Sequence, residues 1–261
     1  MYFFFRRSVM VKVTVIIPAY NGAGYMHKAI DSALIQDVPM EILVINDCSP
    51  DDTDSAMERY KDNPLITYIK NEQNMGVAKT RNKGVAMAKG EYVAFLDCDD
   101  YWAEGKLKKQ LEAIGRDGTV LCSTARELLT PEGEPTGRTI PVKEKLTYKD
   151  LLRQNPINCS SVLIKTEVAK EFPMHHEDSH EDYIMWLEIL RKYERASAIN
   201  EPLLKYRLST TGKSGNKFKS ARMTFMAYRY MGFGLFKSLF CFVNYMLNGV
   251  FKYAKSFLLK R

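Results

Sequence analysis

Val13-Thr-Val-Ile-Ile17, followed by Pro18-Ala-Tyr-Asn21, is the stretch that decides the fold. An unbroken β-branched run suits a strand buried on both faces, where both rows of side chains meet helices rather than water. Pro18 is expected to end it, and Gly22 to Gly24 loop into a helix from about Tyr25 to Ile35. The same order then repeats. Glu41 to Ile45 is a second strand, stopped by Asn46-Asp-Cys-Ser-Pro50, with helix-start residues at Asp51, Asp52 and Thr53. Ile66 to Ile69 is a third strand, Val77 to Ala88 a helix and Tyr92 to Leu96 a fourth strand. Alternation of this kind means parallel strands with crossover helices, whose ligands sit at the carboxyl ends of the strands. The loops after Ile17, Ile45 and Leu96 therefore matter most.

Beyond Lys106 the pattern blurs. It predicts a helix to Ile114, a strand from Thr119 to Ser123 and a looser Gly/Pro stretch from Thr130 to Pro141. A strand near Ser161 to Ile164, a helix from Glu181 to Tyr193 and a strand from Leu203 to Arg207 follow.

The chain of 261 residues is 46% hydrophobic, which excludes disorder and supports one sizeable core. Its net charge of +7 is unevenly placed. Residues 1–202 hold 26 basic and 31 acidic side chains, whereas 203–261 hold 12 basic and no acidic ones. Five cysteines, odd in number and never in a C-x-x-C pair, argue against a disulfide framework or structural zinc and fit a reducing cytosol. The run Met1 to Arg7 lacks the order and length of a signal peptide.

Three carboxylates follow the fourth strand in Phe95-Leu-Asp97-Cys-Asp99-Asp100. Carboxylate oxygens suit Mg²⁺ or Mn²⁺, which would neutralise a diphosphate leaving group; helix capping is the plainer alternative. Asp47, at the end of strand two, can accept the imide N–H of uracil. The segment Asn74-Met-Gly76…Lys79-Thr-Arg81-Asn82-Lys-Gly84 puts cations at a helix start, as a donor site or as a basic helix face.

In order, these segments resemble the family 2 glycosyltransferases, inverting enzymes with a GT-A type fold. The matching residues are Val15 to Asn21, Asn46-Asp-Cys-Ser-x-Asp-x-Thr53, Asn74-x-Gly76…Arg81-Asn82-x-Gly84 and Gly90 to Asp100. The resemblance implies an α/β/α nucleotide-sugar-binding sandwich over residues 12–208, with 12–104 as donor half and 105–208 as acceptor half. It implies that Pro18, Ala19, Tyr20, Asn21 and Asp47 hold base and ribose, with Lys79, Arg81 and Asp97 also on the donor. Asp97 and Asp99 would be the D-x-D pair, with Asp99 the direct ligand of Mn²⁺ or Mg²⁺. It further implies a general base in a Glu-Asp pair opening a helix, here Glu181-Asp182, with Glu181, Trp186 and Arg207 on the acceptor side or auxiliary. Ser179 and Asp182 are also spaced as a capping box.

His175, His176 and His180 lie among carboxylates, but no cysteine or further histidine joins them, so zinc is disfavoured against acceptor contact or a polar loop. Where the family often has Tyr-Arg-x-His, this chain reads Tyr206-Arg207-Leu208-Ser209. Arg207, Lys213 or Lys217 are candidates to supply the missing charge to the diphosphate.

Residues 209–261 read as a basic, amphipathic helical tail. Phe233, Phe236, Phe240, Val243, Leu247, Val250, Ala254 and Phe257 recur at spacings of three and four, beside a stripe of Lys237, Asn244, Asn248, Lys252 and Lys255. That favours a helix in the plane of an anionic membrane over a spanning helix or one packed on the catalytic domain. The interleaved Phe, Leu and Met are too apolar for a nucleic-acid arm. The resulting expectation is a peripheral enzyme on the cytoplasmic face of the cell membrane. It would move sugar from a nucleotide-sugar, a UDP-sugar by preference, to a lipid-linked glycan in surface-polysaccharide synthesis. A nucleotidyltransferase and a non-catalytic sugar-nucleotide binding module are the rivals. The first would want a cationic phosphate loop where Pro18-Ala-Tyr-Asn21 has none.

Overall fold

Every residue of β1 (Val13–Ala19) is buried, as its composition demands. The strand runs past Pro18. Its neighbour β4 (Tyr92–Phe95) pairs with it only from Val13 to Ile16, so no ladder on that side requires the N–H that Pro18 lacks. On its other side β1 pairs in parallel with β2 (Met40–Asn46), which pairs in parallel with β3 (Ile66–Lys70). The helices α1 (Met26–Leu34), α2 (Thr53–Met57) and α3 (Val77–Met87) make the crossovers.

This computed structural model describes residues 11–208 and 217–258, with the side chains of 217 and 250–258 excepted. The expectations for Met1 to Arg7, Lys213 and the side chains of Lys217, Val250, Lys252, Ala254, Lys255 and Phe257 lie outside the described residues.

The second half comprises β5 (Tyr101–Trp102), α4 (Lys106–Asp117), β6 (Leu121–Leu129), β7 (Pro135–Ile140), β8 (Lys145–Thr147) and α5 (Tyr148–Arg153). Then come β9 (Leu163–Lys165), α6 (Thr166–Glu171), α7 (Glu181–Tyr193) and β10 (Arg195–Arg207). All strands join one mixed sheet in the order β3-β2-β1-β4-β9-β6-β10-β5, with β7 on β6 and β8 on β10. Because β9 is antiparallel to both β4 and β6, strands β1, β2, β4, β6 and β10 all end at the same edge. The stretch expected to be loose, Thr130 to Pro141, contains β7, which closes a hairpin on β6.

Helices cover both faces. Met26, Ala29, Ile30 and Ala33 of α1 and Leu107, Ala113 and Ile114 of α4 fill one core. The other takes Tyr183, Met185, Trp186 and Leu187 of α7 against Ile16, Val93 and Phe95. It also takes residues from beyond the catalytic segment. The expected tail is two helices, α8 (Lys217–Tyr230) and α9 (Leu235–Leu258), and Ala227, Tyr228, Met231 and Cys241 are buried in that same core. The opposite side of α9 exposes Phe236, Phe240, Val243 and Leu247 from the predicted apolar stripe, with Leu235, Leu239 and Met246 beside them. Among the described residues no helix is long and apolar enough to cross a membrane.

Candidate active site

The loops after β1 and β2 are stitched together by Ser49 and Asp51. Asn21, at φ +53°, donates its N–H to Ser49 Oγ at 2.8 Å, and Ala23 N donates to Asp51 Oδ2 at 2.9 Å. Ser49 Oγ and Thr53 Oγ1 both donate to Asp51 Oδ1 at 2.5 Å. Burial works against the Asp51 charge, but these hydrogen bonds win and hold its carboxyl below the usual range. Gly22 completes the approach to the acidic turn, for a Cβ there would lie 2.5 Å from Cys98 Sγ. Pro18 and Ala19 are buried behind this loop, while Tyr20 and Asn21 face outward.

Asp47 is only 4% exposed, and its carboxylate serves the neighbouring loop. It accepts from Asn71 Nδ2 at 2.8 Å, Met75 N at 2.9 Å and Gly76 N at 2.8 Å, which pins residues 71–76 beside β2. Lys83 Nζ reaches Asn71 Oδ1 at 2.7 Å, a cation near this pocket that motif spacing did not single out.

Two positions apart on α3, Lys79 and Arg81 point in opposite senses. Lys79 is exposed, whereas Arg81 is buried beneath the acidic turn. Arg81 Nη2 donates to Asp97 Oδ1 at 2.5 Å and Nη1 to Glu181 Oε1 at 3.2 Å, and its Nε has no partner. With bonds to two carboxylates, Arg81 joins the acidic turn to the Glu181-Asp182 pair.

The turn itself starts with Asp97 N donating to Ser160 Oγ at 3.1 Å and closes with Asp100 N donating to Asp97 O at 3.0 Å. Ser160 is fully buried, in the one-turn helix Cys159–Ser161, and carries no motif that would have announced it. Asp100 is buried and accepts from Arg207 N at 2.9 Å. Burial and the charge of Asp97 push the Asp99 carboxyl up to about 6. Crowded carboxylates that resist ionising together are a donor set that a divalent cation relieves, so Asp97 and Asp99 fit Mn²⁺ or Mg²⁺.

Arg207 is 6% exposed and braces this turn from outside. Its Nε donates to Asp99 O at 3.0 Å, its Nη1 to Pro131 O at 2.8 Å, and its guanidinium lies 4.4 Å over the Tyr25 ring. With those hydrogen bonds made to carbonyls, its charge reaches the site only through space. Trp186 is fully buried against Phe95, with ring centroids 6.4 Å apart, so it packs the core beneath the site and touches no acceptor. Helical periodicity places it there: it lies four residues past Asp182, on the inward side of α7.

Asp182 sits in the first turn of α7, partly buried, and accepts from Tyr183 N at 2.8 Å. Burial and the adjacent Glu181 raise its carboxyl, while Arg81 and His180 pull the other way. No side chain caps this helix at His180, and the Ser179 hydroxyl instead donates to Met223 O at 2.8 Å, so the capping box does not form. Among the described residues no group of three or more His, Cys, Asp or Glu side chains is arranged to hold a metal, either at the acidic turn or around His175, His176 and His180.

An α/β sheet with an acidic turn at its carboxyl edge and a carboxylate pair bridged to it is the arrangement of a glycosyltransferase of GT-A type. Residues 14–167 match the glycosyl transferase family 2 pattern, and the chain belongs to that family. It is 37% identical to Bacillus subtilis TuaG, whose name places it in teichuronic acid biosynthesis as a glycosyltransferase, over 92% of this chain and 96% of that one. It is 32% identical to Escherichia coli WfaP, named as a UDP-Glc:α-D-GlcNAc-diphosphoundecaprenol β-1,3-glucosyltransferase, over 97% and 99%. The fold matches S. aureus TarS in complex with UDP-GlcNAc at a TM-score of 0.67 and 21% identity, covering 83% of this chain and 65% of that one. It matches the Pyrobaculum calidifontis mannosyltransferase PcManGT, in complex with GDP-Man and Mn²⁺, at 0.66 and 20%, covering 87% and 66%. Family membership sets aside the nucleotidyltransferase alternative.

Proposed function

We propose that the enzyme transfers a sugar, with inversion, from a UDP-sugar to a hydroxyl of a diphosphoundecaprenol-linked glycan in surface-polysaccharide synthesis. Residues 12–104 form the donor half and 105–208 the acceptor half. What carries this is the pair of bonds from Arg81, which ties the acidic turn at Asp97 to the base-bearing pair at Glu181. The WfaP name supports both the donor class and the lipid-linked acceptor.

Asp182 takes the proton from the acceptor hydroxyl as that oxygen attacks the anomeric carbon, and a single displacement turns an α-linked donor into a β-linked product. Its raised carboxyl suits it to hold a proton taken from an alcohol. Pro18, Ala19, Tyr20, Asn21 and Asp47 frame the base and ribose, and Lys79 stands exposed at the α3 start. Asp99 and Asp97 would hold Mn²⁺ or Mg²⁺, which supplies charge neutralisation for the departing diphosphate.

The exposed apolar side of α9, with the basic excess after residue 203, supports peripheral attachment to an anionic membrane at its cytoplasmic face. Incubation with radiolabelled UDP-glucose, Mn²⁺ and GlcNAc-diphosphoundecaprenol should yield a β-linked lipid product that EDTA abolishes. Transfer undiminished by EDTA would remove the metal assignment, and no transfer from any UDP-sugar would remove the donor.

A further inference from the structure

Residues 176–180 lead into the catalytic pair, and four of the five are held by α8. His176 sits at φ +63°, in the left-handed region that few non-glycine residues adopt. Its ring stacks on Tyr230, centroids 3.7 Å apart and planes 8° from parallel. The Tyr230 hydroxyl donates to Asp178 Oδ2 at 2.7 Å. The buried Ser179 hydroxyl donates to Met223 O at 2.8 Å, and the His180 ring nitrogen lies 3.3 Å from Ser220 O. Glu177 turns the other way and accepts from Ala78 N at 2.8 Å, at the start of α3. A Cβ on Gly76 would lie 1.8 Å from the Glu177 carboxylate, so this segment is seated on the donor-side helix with no room to spare.

We propose that Tyr230 is a positioning residue for transfer: through His176 and Asp178 it fixes the segment that sets Asp182 in place, a role that rests on Asp182 as the base. The side of α8 that carries Ser220, Met223 and Tyr230 is then part of the transfer machinery. A general base misplaced by about 1 Å can lose on the order of a hundredfold in rate, and contacts remote from the chemistry control such placement. The donor-side contact of this segment belongs to Glu177, which bonds Ala78 N at the start of α3, whereas Tyr230 holds only His176 and Asp178 on the side facing α8. Its loss should therefore appear in kcat and spare the donor.

The test measures kcat, donor KM and melting temperature for the full-length enzyme carrying Tyr230→Ala, Tyr230→Phe, Asp182→Asn or Phe218→Ser. Phe218 is on the same helix and 91% exposed. Tyr230→Ala is expected to lose tenfold or more in kcat with donor KM within twofold. Tyr230→Phe keeps the ring stack and lacks only the hydrogen bond, so it should lose about threefold with an unchanged melting temperature, and Phe218→Ser should match the parent. Parental kcat in Tyr230→Ala, or a loss matched by an equal rise in donor KM, would overturn the role of Tyr230. Normal transfer by Asp182→Asn would instead bring down the base assignment beneath it.

Discussion

Arg81 Nη2 and Asp97 Oδ1 lie 2.5 Å apart in a partly buried site, and the same guanidinium reaches Glu181 from its other side. This charge is enclosed by its partners, with a side chain only 6% exposed, so its removal takes a buried cation from between two carboxylates. Breaking a fully buried pair costs about 3–5 kcal/mol, and the 32% exposure of the Asp97 side chain puts this bridge toward the lower figure. Arg81→Met should lower the melting temperature markedly and abolish transfer. Arg81→Lys keeps the charge but cannot span both carboxylates, so it should recover more stability than activity. A melting temperature for Arg81→Met within a degree or two of the parent would contradict the buried bridge.

The raised Asp182 carboxyl sets the direction of the pH response. The base works when ionised, so kcat should climb with pH through an apparent pKa above the ordinary carboxylate value and then level off. The groups that act on it are Glu181, Arg81, His180 and the buried Cys159 thiol. Glu181→Gln removes the neighbouring negative charge and should shift the climb to lower pH. A pH–rate profile for the two proteins, in saturating donor and Mn²⁺, checks this; a shift to higher pH would contradict it.

A second pH effect belongs to stability. Lys106 is wholly buried, donates to Gln110 Oε1 at 2.8 Å, lies 4.0 Å over the Trp102 ring and has no carboxylate partner among the described residues. Burial lowers its amine to about 7, against 10.5 when unfolded. Between those values the unfolded chain binds more protons than the folded one, so this group makes stability rise with pH from about 7 to about 10.5. Below that window both states are charged and the cost of burying the ammonium is complete. Lys106→Met should flatten the rise and raise the melting temperature at pH 7, which thermal denaturation across the range would reveal.

Legibility in the sequence followed the period of each element. The strands before residue 96 are buried on both faces, so their hydrophobic runs are continuous and their ends fall near the motif loops. β7 was not visible because Pro135, Gly137 and Arg138 read as loop residues, and only its pairing with β6 makes it a strand. The motifs located the acidic turn and the Glu181-Asp182 pair, but residue type alone did not tell contact from support. Trp186, Arg81 and Arg207 look like ligand-facing groups, and in the fold all three brace the site. Ser160 and Tyr230 act through contacts made at long range along the chain, which no local spacing records.

Among the described residues of α9, one side packs on the catalytic core and the other carries exposed aromatic and aliphatic side chains. Ser238 and Cys241 are buried, while Phe236 is 89% and Phe240 71% exposed. Exposed aromatics on a helix that itself carries no acidic residue suit an anionic lipid surface, where rings of this kind can insert among the acyl chains. Phe236→Asp/Phe240→Asp adds two negative charges and removes two insertions without disturbing the packed side. In flotation with vesicles containing anionic lipid, the parent should rise with the liposomes and the double variant should remain at the bottom. Its melting temperature should match the parent, and its turnover should fall with an acceptor embedded in vesicles but hold with one dispersed in detergent. Equal flotation of the two proteins would place the membrane contact elsewhere on the molecule.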